Sequence, residues 1–117
     1  MEIFHLKNCD EFREYIETSS RQPLFLFKHS TRCPISFNAE REFLKFAAET
    51  PDSTNIIFLH LDLLKYRDVS DTIEEILAVR HQSPQVILVK NKKACWSISH
   101  SNISMASLNQ AVAQFSL

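Results

Sequence analysis

The sequence predicts an α/β fold in which a central mixed β-sheet is flanked by helices on both faces. Three observations carry this. Helical and strand-like apolar patterns alternate along the chain, the first strands are separated by helices of crossover length, and the chain closes on an antiparallel hairpin followed by a helix. At 117 residues, with no repeat, low-complexity tract or linker-like stretch, it reads as one domain over residues 1–117.

Each element has its own signal. A short strand opens the chain, and Asn8 then caps a helix running to about Thr18, with Phe12, Tyr15 and Ile16 at helical spacing. Ser19–Pro23 ends it. Leu24–His29 places four consecutive apolar residues before two polar ones, the pattern of a strand buried on both faces. After Cys33-Pro34, the residues Phe37, Arg41, Phe43, Leu44, Phe46 and Ala47 define a helical stripe that ends near Glu49-Thr50-Pro51. Asn55 opens a strand over Ile56–Asp62. Ser70 is expected to cap a helix from Asp71 to about Val79, with Asp71, Glu74 and Glu75 where the helix dipole favours acids. Gln85–Lys90 and Ala94–Ser99, separated by Asn91-Lys92-Lys93, form the hairpin. Ser104 caps the last helix, with Met105, Leu108, Val112 and Phe115 facing inward. This order is the thioredoxin arrangement.

Composition narrows the function. A net charge of −1 argues against a general binder of nucleic acid or anionic membrane. The N-terminus shows no cationic leader with an apolar run, and no stretch approaches the roughly 20 apolar residues needed to span a bilayer. Three cysteines, an odd number, suit a reducing compartment, so a cytoplasmic location is expected. The chain has no glycine. A Gly-rich phosphate loop is therefore excluded, and the turns are expected to fall to Asn, Asp, Ser and Pro.

The chemistry concentrates at Thr31-Arg32-Cys33-Pro34-Ile35-Ser36, between a buried strand and the helix after it. A free cysteine is most often a small buried residue. Here the helix start gives Cys33 unpaired N–H groups and the positive end of the dipole, which favour thiolate over thiol. Arg32, with Lys28 and protonated His29 as further candidates, adds positive charge. Pro34 at the first helical position loses no hydrogen bond and stiffens the entry. A dithiol oxidoreductase carries its second cysteine three residues after the first, where this chain has Ser36. The expected chemistry is monothiol, with the Ser36 hydroxyl available to the Cys33 thiolate one helical turn away. Ser83-Pro84 immediately precedes the strand at Gln85. A proline there either starts a strand or, as in thioredoxin-like proteins, is cis beside the cysteine, with the preceding backbone offered to an incoming peptide or thiol conjugate.

With these residues in view, the chain closely resembles the monothiol bacilliredoxins of bacillithiol-using bacteria over nearly its whole length. The resemblance rests on Lys28–Ser36, the Ser83-Pro84 step and Trp96–His100. It implies removal of bacillithiol from protein thiols capped during oxidative stress. Cys33 would attack the mixed disulfide and take the small thiol, and a second bacillithiol or a dithiol partner would regenerate it. Bacillithiolated client proteins and a low-molecular-weight thiol are the implied partners, bacillithiol is a co-substrate, and no metal or prosthetic group is implied. Thr31, Ser83 and Pro84 are the candidate substrate-binding residues, and Arg32 the candidate partner for the carboxylates of bacillithiol's malyl group. Two other readings stand beside this one: a cluster carrier of the monothiol-glutaredoxin type, and a redox-inactive adaptor. The first is disfavoured because Pro34 and Ile35 stand where those proteins carry glycine and phenylalanine.

The remaining candidates have plainer explanations. Cys95, beside Trp96 in a hairpin strand, reads as structural, and Cys9 at the start of the first helix has no expected role. His5, His29, His60, His81 and His100 show no zinc-like spacing with the cysteines, and only His29 is placed near the site. Trp96 and His100 are candidates to line a binding groove, though core packing and surface exposure explain them as well. The sequence leaves the oligomeric state open.

Overall fold

The computed structural model describes all 117 residues. It contains β1 (Ile3–His5), α1 (Cys9–Thr18), β2 (Leu24–His29), α2 (Pro34–Glu49), β3 (Ile57–Asp62), α3 (Arg67–Leu77), β4 (Gln85–Lys90), β5 (Lys93–Ser99) and α4 (Met105–Gln114). A single 3₁₀ turn, His100–Asn102, joins β5 to α4. The strands form one sheet in the order β1-β3-β2-β4-β5. β1 and β2 run parallel to β3, and β4 and β5 each run antiparallel to the strand before them in the sheet.

The continuous apolar run of β2 is explained by its position in the middle of this sheet. Successive side chains leave a strand on opposite faces. Leu24 and Leu26 join Phe12 and Ile16 of α1 and Val69, Ile73 and Leu77 of α3 in one core. Phe25 and Phe27 join Phe43 and Phe46 of α2 and Leu108 and Ala111 of α4 in the other. Two helices therefore cover each face.

Helix ends follow the local signals in two cases. Asn8 Oδ1 accepts from the Glu11 N–H at 2.8 Å. Ser104 and Ser107 cap each other, each hydroxyl accepting from the other's backbone N–H. The third case is a correction. α3 begins at Arg67, and Ser70 lies inside it, 6% exposed. Asp62 bends the chain early, accepting from Lys65 N at its carboxylate and from Tyr66 N at its carbonyl. Starting there brings Val69 onto the buried row with Ile73 and Leu77, leaving Asp68 as the first-turn acid.

The stripe on α2 is also rotated from expectation. Ala39, Phe43, Phe46 and Ala47 are buried, whereas Arg41, Phe37 and Leu44 are exposed, the last two by 51% and 42%. Phe37 packs edge-on to the His29 ring at 5.0 Å, over the carboxyl end of β2. β3 starts one residue late at Ile57, and β5 one residue early at Lys93.

Without glycine, left-handed backbone falls on residues that carry a Cβ. Asn91 (φ 52°) and Lys92 (φ 66°) make the hairpin turn, whose left-handed geometry suits the twist of the strands. Ala78 (φ 54°) ends α3 and His100 (φ 58°) follows β5. Alanine, lysine and histidine thus share work that the sequence reading assigned to Asn, Asp, Ser and Pro.

Candidate functional site

Cys33 is the N-cap of α2. Its carbonyl accepts from Ser36 N at 3.0 Å and Phe37 N at 3.4 Å, and its own N–H donates to Ser30 O at 3.3 Å. Pro34 follows at the first helical position, where the missing N–H leaves nothing unsatisfied. The backbone is thus held on both sides of the thiol. The side chain is half-buried and makes no capping hydrogen bond. Thr31, Arg32, Pro34 and Ile35 around it are exposed. The Arg32 N–H donates to Ser30 Oγ at 3.4 Å, and its guanidinium enters no ion pair.

Ser36 takes different partners from those expected. It is fully buried, accepts from Ser30 N at 2.9 Å and lies 2.8 Å from His29 Nδ1. The hydroxyl therefore ties the first turn of α2 to the end of β2, and Cys33 Sγ is not among its partners. His29, 3% exposed, lies beneath the helix turn that follows Cys33 rather than beside the thiol in solvent.

Lys28 moves away from the site altogether. Strand alternation sends it to the α3 face, fully buried, with Nζ 2.6 Å from His81 Nδ1. Burial pushes its pKa down to about 8, against the opposing pull of Glu74 and Asp71. It adds no charge at Cys33.

The Ser83–Pro84 peptide bond is cis. Register fixes where this step lies. Gln85 pairs with Lys28, so Pro84 falls level with the end of β2, on the sheet edge from which the Cys33 segment departs. Pro84 is buried and its carbonyl accepts from His100 N at 2.9 Å. Ser83 Oγ is buried with no hydrogen-bond partner.

Two residues of this region escaped the sequence reading. Glu40 Oε2 lies 2.7 Å from His60 Nε2 and 3.6 Å from His29 Nε2, so one carboxylate oxygen stands between two imidazoles. Burial lowers the His60 pKa, with the Glu40 hydrogen bond acting against it. The signal was present as polar residues closing apolar strands, His29 on β2 and His60 near the end of β3, with Glu40 one turn after Ser36 on α2. Joining them required the β2–β3 register.

The other thiols lie elsewhere. Cys9 Sγ is 3.2 Å from Thr72 Oγ1, between α1 and α3. Cys95 is the extra residue of a β-bulge, since Leu88 pairs with Trp96 and Val89 with Ala94. It is exposed, and partial burial of its sulfur raises the thiol pKa. All three cysteines are free. Trp96 is half-buried and edge-on to Phe25 at 6.4 Å. No group of three or more His, Cys, Asp or Glu is arranged to hold a metal ion, and no helix is long and apolar enough to cross a membrane.

A thiol at a strand-to-helix junction of a β1-β3-β2-β4-β5 sheet can be compared with known proteins. A family model described as "Monothiol bacilliredoxin BrxC" matches residues 4–108. The chain belongs to the monothiol bacilliredoxin family. A solved structure described, provisionally, as an oxidoreductase with a thioredoxin fold is 35% identical, covers 93% of this chain and 92% of its own, and superposes with a TM-score of 0.82. Schistosoma mansoni thioredoxin (16% identity, 97% and 95% coverage, TM-score 0.77) and spinach chloroplast thioredoxin f (18%, 99% and 95%, 0.75) share the fold. Bacilliredoxin membership and the oxidoreductase neighbour support a thiol-redox function on a thioredoxin fold.

Proposed function

We propose that the protein is a monothiol thiol–disulfide oxidoreductase that removes bacillithiol from mixed disulfides on client proteins, with Cys33 as nucleophile. The observation that carries this is the pairing of two neighbours on α2. Cys33 is a half-buried residue whose thiol makes no capping bond at the helix start, while Ser36, one turn on, is buried and bonded to His29 and Ser30. The first group is free to attack, and the second holds its platform in place without supplying a second sulfur.

In the first exchange the Cys33 thiolate bonds to the sulfur of the bacillithiol cap. The client–cap S–S bond breaks, and the client sulfur leaves with the electron pair and takes a proton. A second small thiol or a dithiol partner then attacks the mixed disulfide and returns Cys33 as thiolate. Arg32 supplies positive charge beside the nucleophile, and Thr31, Ser83 and Pro84 border the approach. The cycle needs no bound metal or prosthetic group, and it suits a reducing compartment such as the cytoplasm.

Intact-mass measurement after exposure to a bacillithiolated client tests this. The wild type gains one bacillithiol in a mixed disulfide, and Cys33→Ser gains nothing. Absence of a Cys33-dependent adduct would falsify the proposal.

A further inference from the structure

The loops at the carboxyl ends of β1, β2 and β3 leave a crevice of about 400 Å³ between them. Its position follows from topology. The crossover from β1 through α1 steps past β3 to β2, whereas the one from β2 through α2 steps back to β3 along the opposite face. The two loops therefore diverge above β3. Open α/β sheets take their ligands at such reversals. Lys7 from the first loop and Thr31 from the second both line the crevice.

Its carboxylates and its cations differ in how they are partnered. Glu40 Oε2 is engaged by His60 Nε2 at 2.7 Å, and Asp62 Oδ1 accepts from Lys65 N at 3.3 Å. The ammonium groups of Lys7 and Lys65, both on exposed residues, enter no ion pair. Lys65 Nζ lies 5.5 Å from the centre of the Tyr66 ring. A guest that fits brings acceptors for these two cations. Thr31 is two residues before Cys33, so their Cα atoms are within about 8 Å. Cys33 itself does not line the crevice, and Thr31 marks the border across which an extended guest would reach toward it.

We propose that this crevice holds the carboxylate-bearing end of the small thiol that Cys33 removes from its clients. The inference rests on the function proposed above and adds a selectivity site to it. The cap's carboxylates meet Lys7 and Lys65, and its sulfur reaches Cys33 past Thr31. The step remains the exchange already described: the Cys33–cap bond forms as the cap–client bond breaks, with no outside oxidant or reductant. Arg32 does not line the crevice, so this proposal adds Lys7 and Lys65 as carboxylate partners beside Arg32, the candidate read from the sequence.

The test uses one client peptide carrying either of two caps, bacillithiol or the uncharged 2-mercaptoethanol. Rates of Cys33 adduct formation are measured by rapid quench and intact mass for wild type and for the double variant Lys7→Gln, Lys65→Gln. The wild type favours the bacillithiol cap, and the ratio of the two rates falls about tenfold in the double variant, the size expected from losing two surface ion pairs. A charge reversal, Lys65→Glu, lowers the same ratio. A wild type without preference, or a folded double variant with an unchanged ratio, overturns the crevice and leaves the exchange activity standing. Failure of the wild type to form an adduct with either cap overturns the proposed function and this inference together.

Discussion

Lys28 and His29 are neighbours on β2, yet their side chains enter opposite halves of the molecule. On the α3 side, Lys28 Nζ meets a ring nitrogen of His81, whose backbone N–H donates to Glu74 Oε2 at 2.6 Å. That network holds the segment leading to Ser83–Pro84, helped by Gln85 Nε2, which donates to Arg80 O. On the α2 side, His29 meets Ser36 and the Glu40 carboxylate beneath the helix turn that carries Cys33. Both residues are polar, buried and at the end of the same strand. The face each one enters decides whether it braces a loop or underlies the thiol.

The comparison predicts that chemistry and stability separate across the sheet. Cys33→Ser has the largest effect on function: adduct formation disappears, while stability is kept or raised by up to about 1 kcal/mol, because the thiol makes no capping bond and serine is a favoured N-cap residue. Lys28→Ala has the largest effect on stability. Truncating this fully buried side chain costs about 2–4 kcal/mol in denaturant titration at about pH 10, where the folded chain holds the amine neutral, and less at pH 7, with exchange per folded molecule preserved. A loss of exchange in folded Lys28→Ala would break the division.

The same lysine gives a pH signature. Its folded pKa of about 8 lies below the ordinary 10.5, so the unfolded chain binds more protons between these values. Stability accordingly rises with pH across that window, by up to about 3 kcal/mol, and Lys28→Met flattens the rise. Glu40→Ala is expected to cost about 1–3 kcal/mol by leaving the His60 N–H without its acceptor. On the acid side, burial holds the folded pKa of His60 and His81 below 6.5. Stability therefore falls as pH drops through that value, and His60→Gln and His81→Gln each remove part of the slope. Cys95→Ser is the smallest change, within about 0.5 kcal/mol and without effect on exchange rate, since the residue sits exposed on a bulge.

Much of the architecture was legible because local pattern and tertiary role agree. The β2 run signals burial on both faces, Asn8 and Ser104 mark true helix starts, and Cys33-Pro34 falls at the strand-to-helix junction. Disagreement arose where distant contacts decide. Ser70 looks like a cap by its neighbours, but burying Val69 requires the helix to begin earlier. Phe37 fits a helical stripe, yet it covers His29 instead of entering the α2 core. Lys28 appears beside the site when read along the chain, and alternation places it across the sheet. The Glu40–His60 contact spans 20 residues and needs the β2–β3 register before it becomes visible.

Ser36 has a consequence for energetics beyond holding the helix in place. A chain whose second position is an engaged hydroxyl cannot give up an electron pair by closing an internal disulfide at this site. Under the proposed exchange with a second small thiol, every turn converts one mixed disulfide on a client into one disulfide of the small thiol and leaves the total number of S–S bonds unchanged. The direction of the reaction is then set by the surrounding ratio of small thiol to its disulfide. A protein built this way equilibrates its clients with that pool, repairing them when the pool is reduced and capping them when it is oxidised.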